Sequence, residues 1–497
     1  MTEARRWWTR RRIGLAVAIA ATVAIVGTLG YFWYASLVPA TYSVMDMGFV
    51  DAGGGPGGGA HNHGGTSVSD LKGPEGTPAV AVTLTARSQS FALASGEKVR
   101  GFTLNNSSPG PTIQLTEGDL LEVTLVNESV DEGITLHWHG VDVPNAEDGV
   151  PGVTQDAVPK RGRYVYRFRA EHPGTYWYHS HQVSHDQVKG GLFGALVILP
   201  KTAPQPAATA ATDLVAPVHT YEGRRTIAGR TGVQRVDASP GSQVRVRFVD
   251  TDSGTIRVSV TGAPYRLVAI DARDVHGPTD VTDRAVRIAA GGRSDLAITT
   301  PPDGSAVRLD VGAGAALVIG RAGAAAPPAR DLDATLDPLA YGSPAPIGFA
   351  TDSPDRRFEM RLGRRAAFLD GRPGLWWTIN GKLFPDVPMY VVREGDIVLM
   401  TISNSSGQVH PMHLHGHHAV VLSRNGTAAS GSPWWTDSLD VDDGDTYVIA
   451  FRAENPGIWM DHCHNLPHAA DGMVTHLAYE GVTTPYVVGG RSDNEPE

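Results

Sequence analysis

One pattern recurs along the chain and restricts its fold more than any other feature: a strand, an acidic glycine turn and a second, alternating strand. Pro111–Asn127 carries it around Glu117-Gly118-Asp119, and Tyr390–Asn404 carries it again around Glu394-Gly395-Asp396. Further on, His172-Pro173-Gly174-Thr175-Tyr176-Trp177 is matched by Asn455-Pro456-Gly457-Ile458-Trp459-Met460. The two matched pairs lie 277 residues apart (117 and 394) and 283 apart (173 and 456), so one ancestral unit stands at both ends. Ser239–Asp250 repeats the turn and strand between them. Three units agree with the about three domains expected of 497 residues. The 58 glycines and 34 prolines suit many strands joined by turns. The expectation is an all-β chain of three Greek-key sandwiches over residues 77–200, 212–325 and 345–485. Ala- and Pro-rich connections would lie near 201–212 and 322–341.

The outer two units carry the chemistry. Cys463, the single cysteine, stands in His462-Cys463-His464, with His468 five residues on and Met473 five further. Thiolate, imidazole and thioether are the ligand types of a blue copper site. In a strand successive side chains point to opposite faces, so Cys463 would serve one copper while His462 and His464 reach a second centre. His137-Trp138-His139 and His179-Ser180-His181 each set two imidazoles on one face, and His410-Pro411-Met412-His413-Leu414-His415 adds three more. His137, His139, His179, His181, His413, His415, His462 and His464 then provide eight imidazoles for a copper cluster. His410, Cys463, His468 and Met473 remain for the blue copper. One structural zinc ion takes four closed ligands, a third of this set. The cluster histidines divide evenly between the first and third units, which places the cluster at their interface. The middle unit, with only His219 and His276 and no His-x-His pair, reads as a structural spacer. His172, His185, His417, His418 and His476 read as surface residues or as neighbours of the ligands.

These four segments, in this order, resemble the ligand motifs of the multicopper oxidases, the laccase-like enzymes, over roughly residues 77–485. The resemblance implies a cupredoxin fold for each unit and four coppers per chain. His410, Cys463, His468 and Met473 would hold the type 1 copper, and His137 and His413 the type 2 copper. His139, His179, His181, His415, His462 and His464 would hold the type 3 pair. It implies oxidation of a small reducing donor in one-electron steps, coupled to reduction of O2 to two waters. Cys463 would pass electrons to His462 and His464. Asp148, in Glu147-Asp148-Gly149, matches an acidic residue the family places near the cluster and would relay protons or tune a bound water; an exposed turn is the plainer reading. Where many bacterial relatives carry an acid after the second type 1 histidine, this chain has Ala469, so the proton route would differ and use Asp471 or ordered water. Met473 as axial ligand predicts a moderate potential. With nine methionines and no methionine-rich run, phenolic donors are favoured over Cu(I) or Fe(II). An electron-transfer cupredoxin without O2 reduction is the remaining alternative.

A net charge of −10 argues against nucleic-acid binding, and one cysteine permits no internal disulfide. Arg5, Arg6, Arg10, Arg11 and Arg12 make residues 1–12 a basic cytoplasmic segment. The stretch 13–38 contains the uncharged run Ile13–Tyr34, long enough to span a bilayer. Thr9–Leu15 is similar to a twin-arginine export signal, and Val38-Pro39-Ala40 to a cleavage site. Aromatic residues at both ends (Trp7, Trp8, Tyr31–Tyr34) favour a retained anchor with the bulk of the chain outside the cytoplasm; secretion after cleavage is the alternative. Residues 39–76 are expected to form a Gly-rich flexible linker, in which Met45, Met47, His61 and His63 offer thioether and imidazole to copper in transit. Three domains in one chain predict a monomer.

Overall fold

A computed structural model of the chain describes residues 3–55, 65–202 and 212–497. Beyond an N-terminal helix, strands dominate, and each unit is a sandwich of two sheets. In the first, Lys98–Leu104, Val80–Ala92, Leu120–Asn127 and Arg163–Arg169 form one sheet; Ile113–Thr116, Phe193–Leu199, Gly174–His179 and His137–His139 form the other. The second unit pairs a seven-stranded sheet with a five-stranded one, and the third a seven-stranded sheet with a six-stranded one. These are cupredoxin-like sandwiches in sequence along the chain.

The repeat seen in the sequence has a structural counterpart. In every unit the opening strand lies parallel to the strand that leaves the glycine turn: Val80 opposite Leu121, Thr212 opposite Val244, and Arg356 opposite Val398. Parallel neighbours need a crossover between them, and the chain between each pair supplies it by visiting the second sheet. Alternate residues point inward, so Leu121, Val123 and Leu125 are buried in the first unit, as are Val398, Met400 and Ile402 in the third. The apolar side chains of units one and three form one continuous buried cluster, whereas unit two has a core of its own. That shared core holds the two histidine-bearing sheets in fixed register.

The N-terminal segment departs from expectation. The helix runs Glu3–Ala35, taking in the arginines ahead of Ile13, and its span Arg6–Ala35 is apolar and exposed. At about 1.5 Å per residue it is long enough to cross a membrane. The described parts of 39–76, residues 39–55 and 65–76, are built into the fold rather than left as a free linker. Thr41–Tyr42 pairs with Val488–Gly489, Phe49–Asp51 extends the six-stranded sheet beside Pro388–Val392, and Thr66–Ser67 pairs with Val482–Thr483. The physical cause is a few apolar side chains among the glycines: Val44, Met47 and Val68 are buried in the shared core. Met45 is half-buried and packs against the same core, so the Met47 thioether is closed off and Met45 is held against the fold. His61 and His63 lie outside the described residues, as do 56–64 and 203–211. Val68→Asp places an unpaired carboxylate in this core and should lower unfolding free energy by about 3 kcal/mol, read by denaturant titration.

Candidate metal centres

Two antiparallel strand pairs position the histidines. In the first unit His137 lies opposite His179 and Trp138 opposite Tyr178; in the third Met412 lies opposite Cys463 and His413 opposite His462. Alternation does the sorting. Trp138 enters the core, leaving His137 and His139 on the other face, while Cys463 and His462 face opposite ways. His181 and His464 follow the strand ends, His464 in a bend.

Eight imidazoles, four from each unit, meet at the interface, none more than 1% exposed. His137 Nε2 and His413 Nε2 are 3.4 Å apart, and His415 Nε2 and His462 Nε2 are 3.2 Å apart. The ring nitrogens of His181, His415 and His462 converge within 4.8 Å of one another, as do those of His137, His139 and His179. The His464 ring centroid is 4.8 Å from that of His139 and 5.4 Å from that of His179.

The outward nitrogens explain how these rings are held. His137 Nδ1 donates to the Asp148 carbonyl at 3.0 Å, His179 Nδ1 to Ser180 at 2.9 Å, His181 Nδ1 to Pro496 at 2.7 Å, and His413 Nδ1 to Asp437 at 2.8 Å. A carbonyl only accepts, so each of these nitrogens carries the proton and the inward Nε2 keeps its lone pair. His139 is turned the other way: its Nε2 is 2.9 Å from Ser438 Oγ, and its Nδ1 has no hydrogen-bond partner. His179 Nε2, His181 Nε2 and both nitrogens of His464 are likewise buried without partners among the described residues. Lone pairs directed at one another without donors are costly in a dry interior. A set of cations removes that cost, so the donor set fits copper.

A second group lies in the third unit alone. His410 Nδ1 is 3.5 Å from Cys463 Sγ, His468 Nδ1 is 3.8 Å from it, and the two nitrogens are 3.2 Å apart. Met473 is fully buried, and its carbonyl accepts the Cys463 N–H at 3.0 Å. Ser406 Oγ, 2.8 Å from His410 Nε2, fixes that ring. The Trp377 ring centroid is 4.4 Å from that of His468 and 4.9 Å from that of His410.

Burial and neighbouring imidazoles set the electrostatics. Burial lowers His410 to about 3 and His468 to about 4, and burial with the nearby His137 lowers His181 to about 3. Burial pushes the Cys463 thiol up. Binding of a metal cation must therefore displace the thiol proton.

Asp148 is 1% exposed, with Oδ2 3.0 Å from His415 Nδ1 and Oδ1 3.1 Å from His137 Nδ1. It joins one histidine from each unit and is not an exposed turn residue. Ala469 is buried, and Asp471 sits half-buried at the end of the short helix Leu466–Ala470. His418 Nε2 is 3.2 Å from Asp437 Oδ2, and His417 Nε2 is 2.7 Å from the Tyr479 hydroxyl.

Several supporting residues escaped sequence reasoning. Asp437 reaches His139 Nε2 at 3.3 Å and His413 Nδ1 at 3.6 Å. Its charge is balanced from the middle unit, where Arg293 Nη1 donates to Asp437 Oδ1 at 2.6 Å with both side chains fully buried. Burial alone would raise the Asp437 carboxyl; the Arg293 guanidinium and the two histidines hold it well below the usual range. The middle unit is thus more than a spacer. Glu497 Oε1 stands 3.4 Å from His462 Nδ1. An isolated arginine in a ligand-free unit and a glutamate far from any motif carry no local signal.

Comparison with known proteins agrees with this geometry. Residues 85–203 and 352–481 match two domain models described as multicopper oxidase. The chain is 26% identical over 468 residues to a multicopper oxidase of Mycobacterium tuberculosis, covering 82% of this chain and 88% of that one. It is 29% identical over 444 residues to a laccase of Botryotinia fuckeliana, covering 74% and 76%. Its fold superposes on a multi-copper oxidase from Pseudomonas thermotolerans with a TM-score of 0.66 and 25% identity, over 81% of this chain and all of that one.

Arg293→Met leaves the Asp437 carboxylate buried and unpaired, a loss of about 3–5 kcal/mol of stability; metal analysis and denaturant titration should show copper and stability falling together. For the metal-free chain the sign follows from depressed imidazole pKa values, such as that of His476, lowered to about 4 by burial. The unfolded chain binds these protons from about pH 6.5 downward, so stability is full above that pH and is lost as pH falls toward 4. Melting temperatures across this range should decline steadily with acid, and a flat profile would contradict neutral buried histidines.

Proposed function

This chain belongs to the multicopper oxidase family, copper oxidoreductases that use O2 and a reducing substrate, and from that premise we propose a residue-level assignment and a donor class. His410, Cys463, His468 and Met473 hold the type 1 copper, His137 and His413 the type 2 copper, and His139, His179, His181, His415, His462 and His464 the type 3 pair. The carrying observation is eight buried imidazoles, four from each of two units, whose inward ring nitrogens face one another, with those of His139, His179, His181 and His464 lacking any partner among the described residues. When bound, copper supplies one-electron redox chemistry at one centre and four-electron reduction of O2 to water at the other.

The chain's own residues then have separable tasks. Cys463 is covalently continuous with His462 and His464, so electrons cross between the two ligand groups through one backbone segment. Asp148 holds His137 and His415 in orientation and is, among the described residues, the only carboxylate that touches both, a placement that suits a proton relay beside the O2 pocket. Asp437, anchored by Arg293, keeps His139 and His413 from turning. Trp377 covers the rings of His410 and His468 and limits water there.

The reaction is one-electron oxidation of phenolic or aromatic donors, supported by the aromatic face of Trp377 beside His468 and by the absence of a methionine-rich run in the sequence. The helix Glu3–Ala35 is retained as an anchor, with the three units outside the cytoplasm, and a single chain carries all four coppers.

The test is O2 uptake by copper-loaded protein with a phenol, Cu(I) and Fe(II) in parallel. The phenol should be oxidised fastest, and faster turnover of either metal ion would replace the donor class. Cys463→Ser should abolish the blue absorbance and lose turnover with every donor. Asp148→Asn should leave the blue band intact while slowing O2 reduction by about 10²-fold or more. An unchanged rate would remove Asp148 from the proton path.

A further inference from the structure

The Asp437 carboxylate stands beside two ligand histidines, and its tilt is set by the donors around it. Oδ1 accepts from Arg293 Nη1 at 2.6 Å and from Ser438 Oγ at 2.9 Å, and lies 3.3 Å from His139 Nε2 and 3.6 Å from His413 Nδ1. Oδ2 takes the other arm of Arg293 and lies 3.2 Å from His418 Nε2. The guanidinium fork holds the carboxylate along one axis. His418 supplies a second direction, which fixes the carboxylate plane and with it the place of Oδ1 between His139 and His413.

Two glycine turns bring the partners of His418 together. Gly416, at φ +63°, turns the chain between His410–Leu414 and Ala419–Arg424 so tightly that a Cβ there would stand 2.5 Å from the Trp459 ring. His418 follows in the interior, its side chain 2% exposed. Gly140, at φ +81°, lies so close to the pair beneath it that a Cβ would stand 2.7 Å from Asp437 Oδ2. Asp142 follows that turn, and its Oδ1 lies 3.4 Å from His418 Nδ1. One imidazole therefore spans a carboxylate of the first unit and a carboxylate of the third.

The charge of this imidazole follows from its partners. Nε2 faces two acceptors, the Asp437 carboxylate and the Asp271 carbonyl at 3.0 Å, so it carries a proton. Nδ1 faces the Asp142 carboxylate, which only accepts, so it carries one too. Arg273 Nη2, 3.4 Å from Nδ1, donates instead to Asp142 Oδ2 at 3.2 Å. Burial and the Arg273 charge push His418 down, but Asp142 and Asp437 outweigh them and hold it above its ordinary value. Arg273, Asp142, His418, Asp437 and Arg293 thus form a row of alternating charge through all three units. Its outer end is wet, since Asp142 stands at the wall of a cavity of about 590 Å³; its inner end at Asp437 is fully buried.

We propose that His418 is a positioning residue for the copper cluster, an imidazolium that ties Asp142 of the first unit to Asp437 of the third and fixes the tilt of the carboxylate that orients His139 and His413. The inference rests on the assignment of those two histidines as copper ligands.

The experiment uses the copper-loaded full chain and reads the electron paramagnetic resonance of its type 2 copper. His418→Leu and Asp142→Asn should both keep the blue band, whose ligands lie elsewhere in the third unit, and both should shift the type 2 hyperfine splitting. A chelator should strip type 2 copper from each about tenfold sooner, and kcat should fall about tenfold at an unchanged donor KM, the scale of a lost partner of a metal ligand. Asp142→Glu keeps the charge, has the cavity to extend into, and should restore the signal. An unchanged type 2 signal in either of the first two variants overturns the proposal, as does an Asp142→Glu signal like that of Asp142→Asn. Loss of the blue band in both would make the pair a general contact of the fold and overturn it as well. If His418→Leu alone fails to fold, the Asp142 variants decide. A type 2 signal missing from the unaltered chain would instead remove the ligand assignment, and the proposal with it.

Discussion

The buried pair of Arg293 and Asp437 links all three units at the place where the chemistry occurs. Arg293 comes from the unit without ligands, Asp437 from the third, and through His139 and His413 the carboxylate touches ligands from both outer units. A carboxylate at zero exposure is tolerable only with its charge matched. The match here is a guanidinium that also donates to the Thr175 carbonyl of the first unit. Removing the middle unit would therefore leave the interface electrostatically unsound, even though no metal ligand was lost. This is a physical reason for three units where two bear the ligands.

The cluster obeys a second constraint. A neutral imidazole points its lone pair inward when its outward nitrogen has an acceptor, and six of the eight have one; His462 Nδ1 has only Glu497 at 3.4 Å, and His464 has none among the described residues. The chain provides these mostly as backbone carbonyls, from Asp148, Ser180, Asp437 and Pro496. Carbonyls do not titrate, so ring orientation persists across pH. The exceptions are the side chains Asp148, Ser438 and Glu497. These three side chains stand beside the cluster. Asp148 takes this position in the first unit, and Glu497 stands against His462 from residues that follow the third. The acid missing at Ala469 is thus accompanied by a carboxylate from a different part of the chain.

The N-terminal segment joins location to site. Its helix is too apolar and too exposed to be part of the fold, yet the residues after it are built into the third unit's sheet. A tether that pairs with strands and caps a hairpin tip cannot swing freely. Hydrogen bonds at Ser36, Asp370 and Gly371 join the end of the helix to the tip of the hairpin that carries Trp377.

What was legible in the sequence has a common character. The three-fold repeat, the alternation that sends Trp138 inward and His137 with His139 outward, and the spacing His462, Cys463, His464, His468, Met473 are all local. Strand geometry converts local spacing directly into facing. The interface position of the cluster was also legible, because histidines in two separate units must meet to share metals. The exposed-turn alternative for Asp148 and the free-linker expectation for the described residues 39–55 and 65–76 do not hold, for one reason: composition describes a segment alone, while burial depends on what packs over it. A handful of apolar residues, Val44, Met47 and Val68, outweighed the glycines around them. Arg293 and Glu497 lie beyond any sequence window. Asp437 is 144 residues from Arg293 and His462 is 35 from Glu497 (497 − 462), and only the folded chain decides which charge or ring nitrogen stands opposite them. The sequence by itself determined the candidate ligands and the architecture, since both depend on period-two geometry. The tertiary structure alone decided which residues support those side chains, since long-range packing sets that.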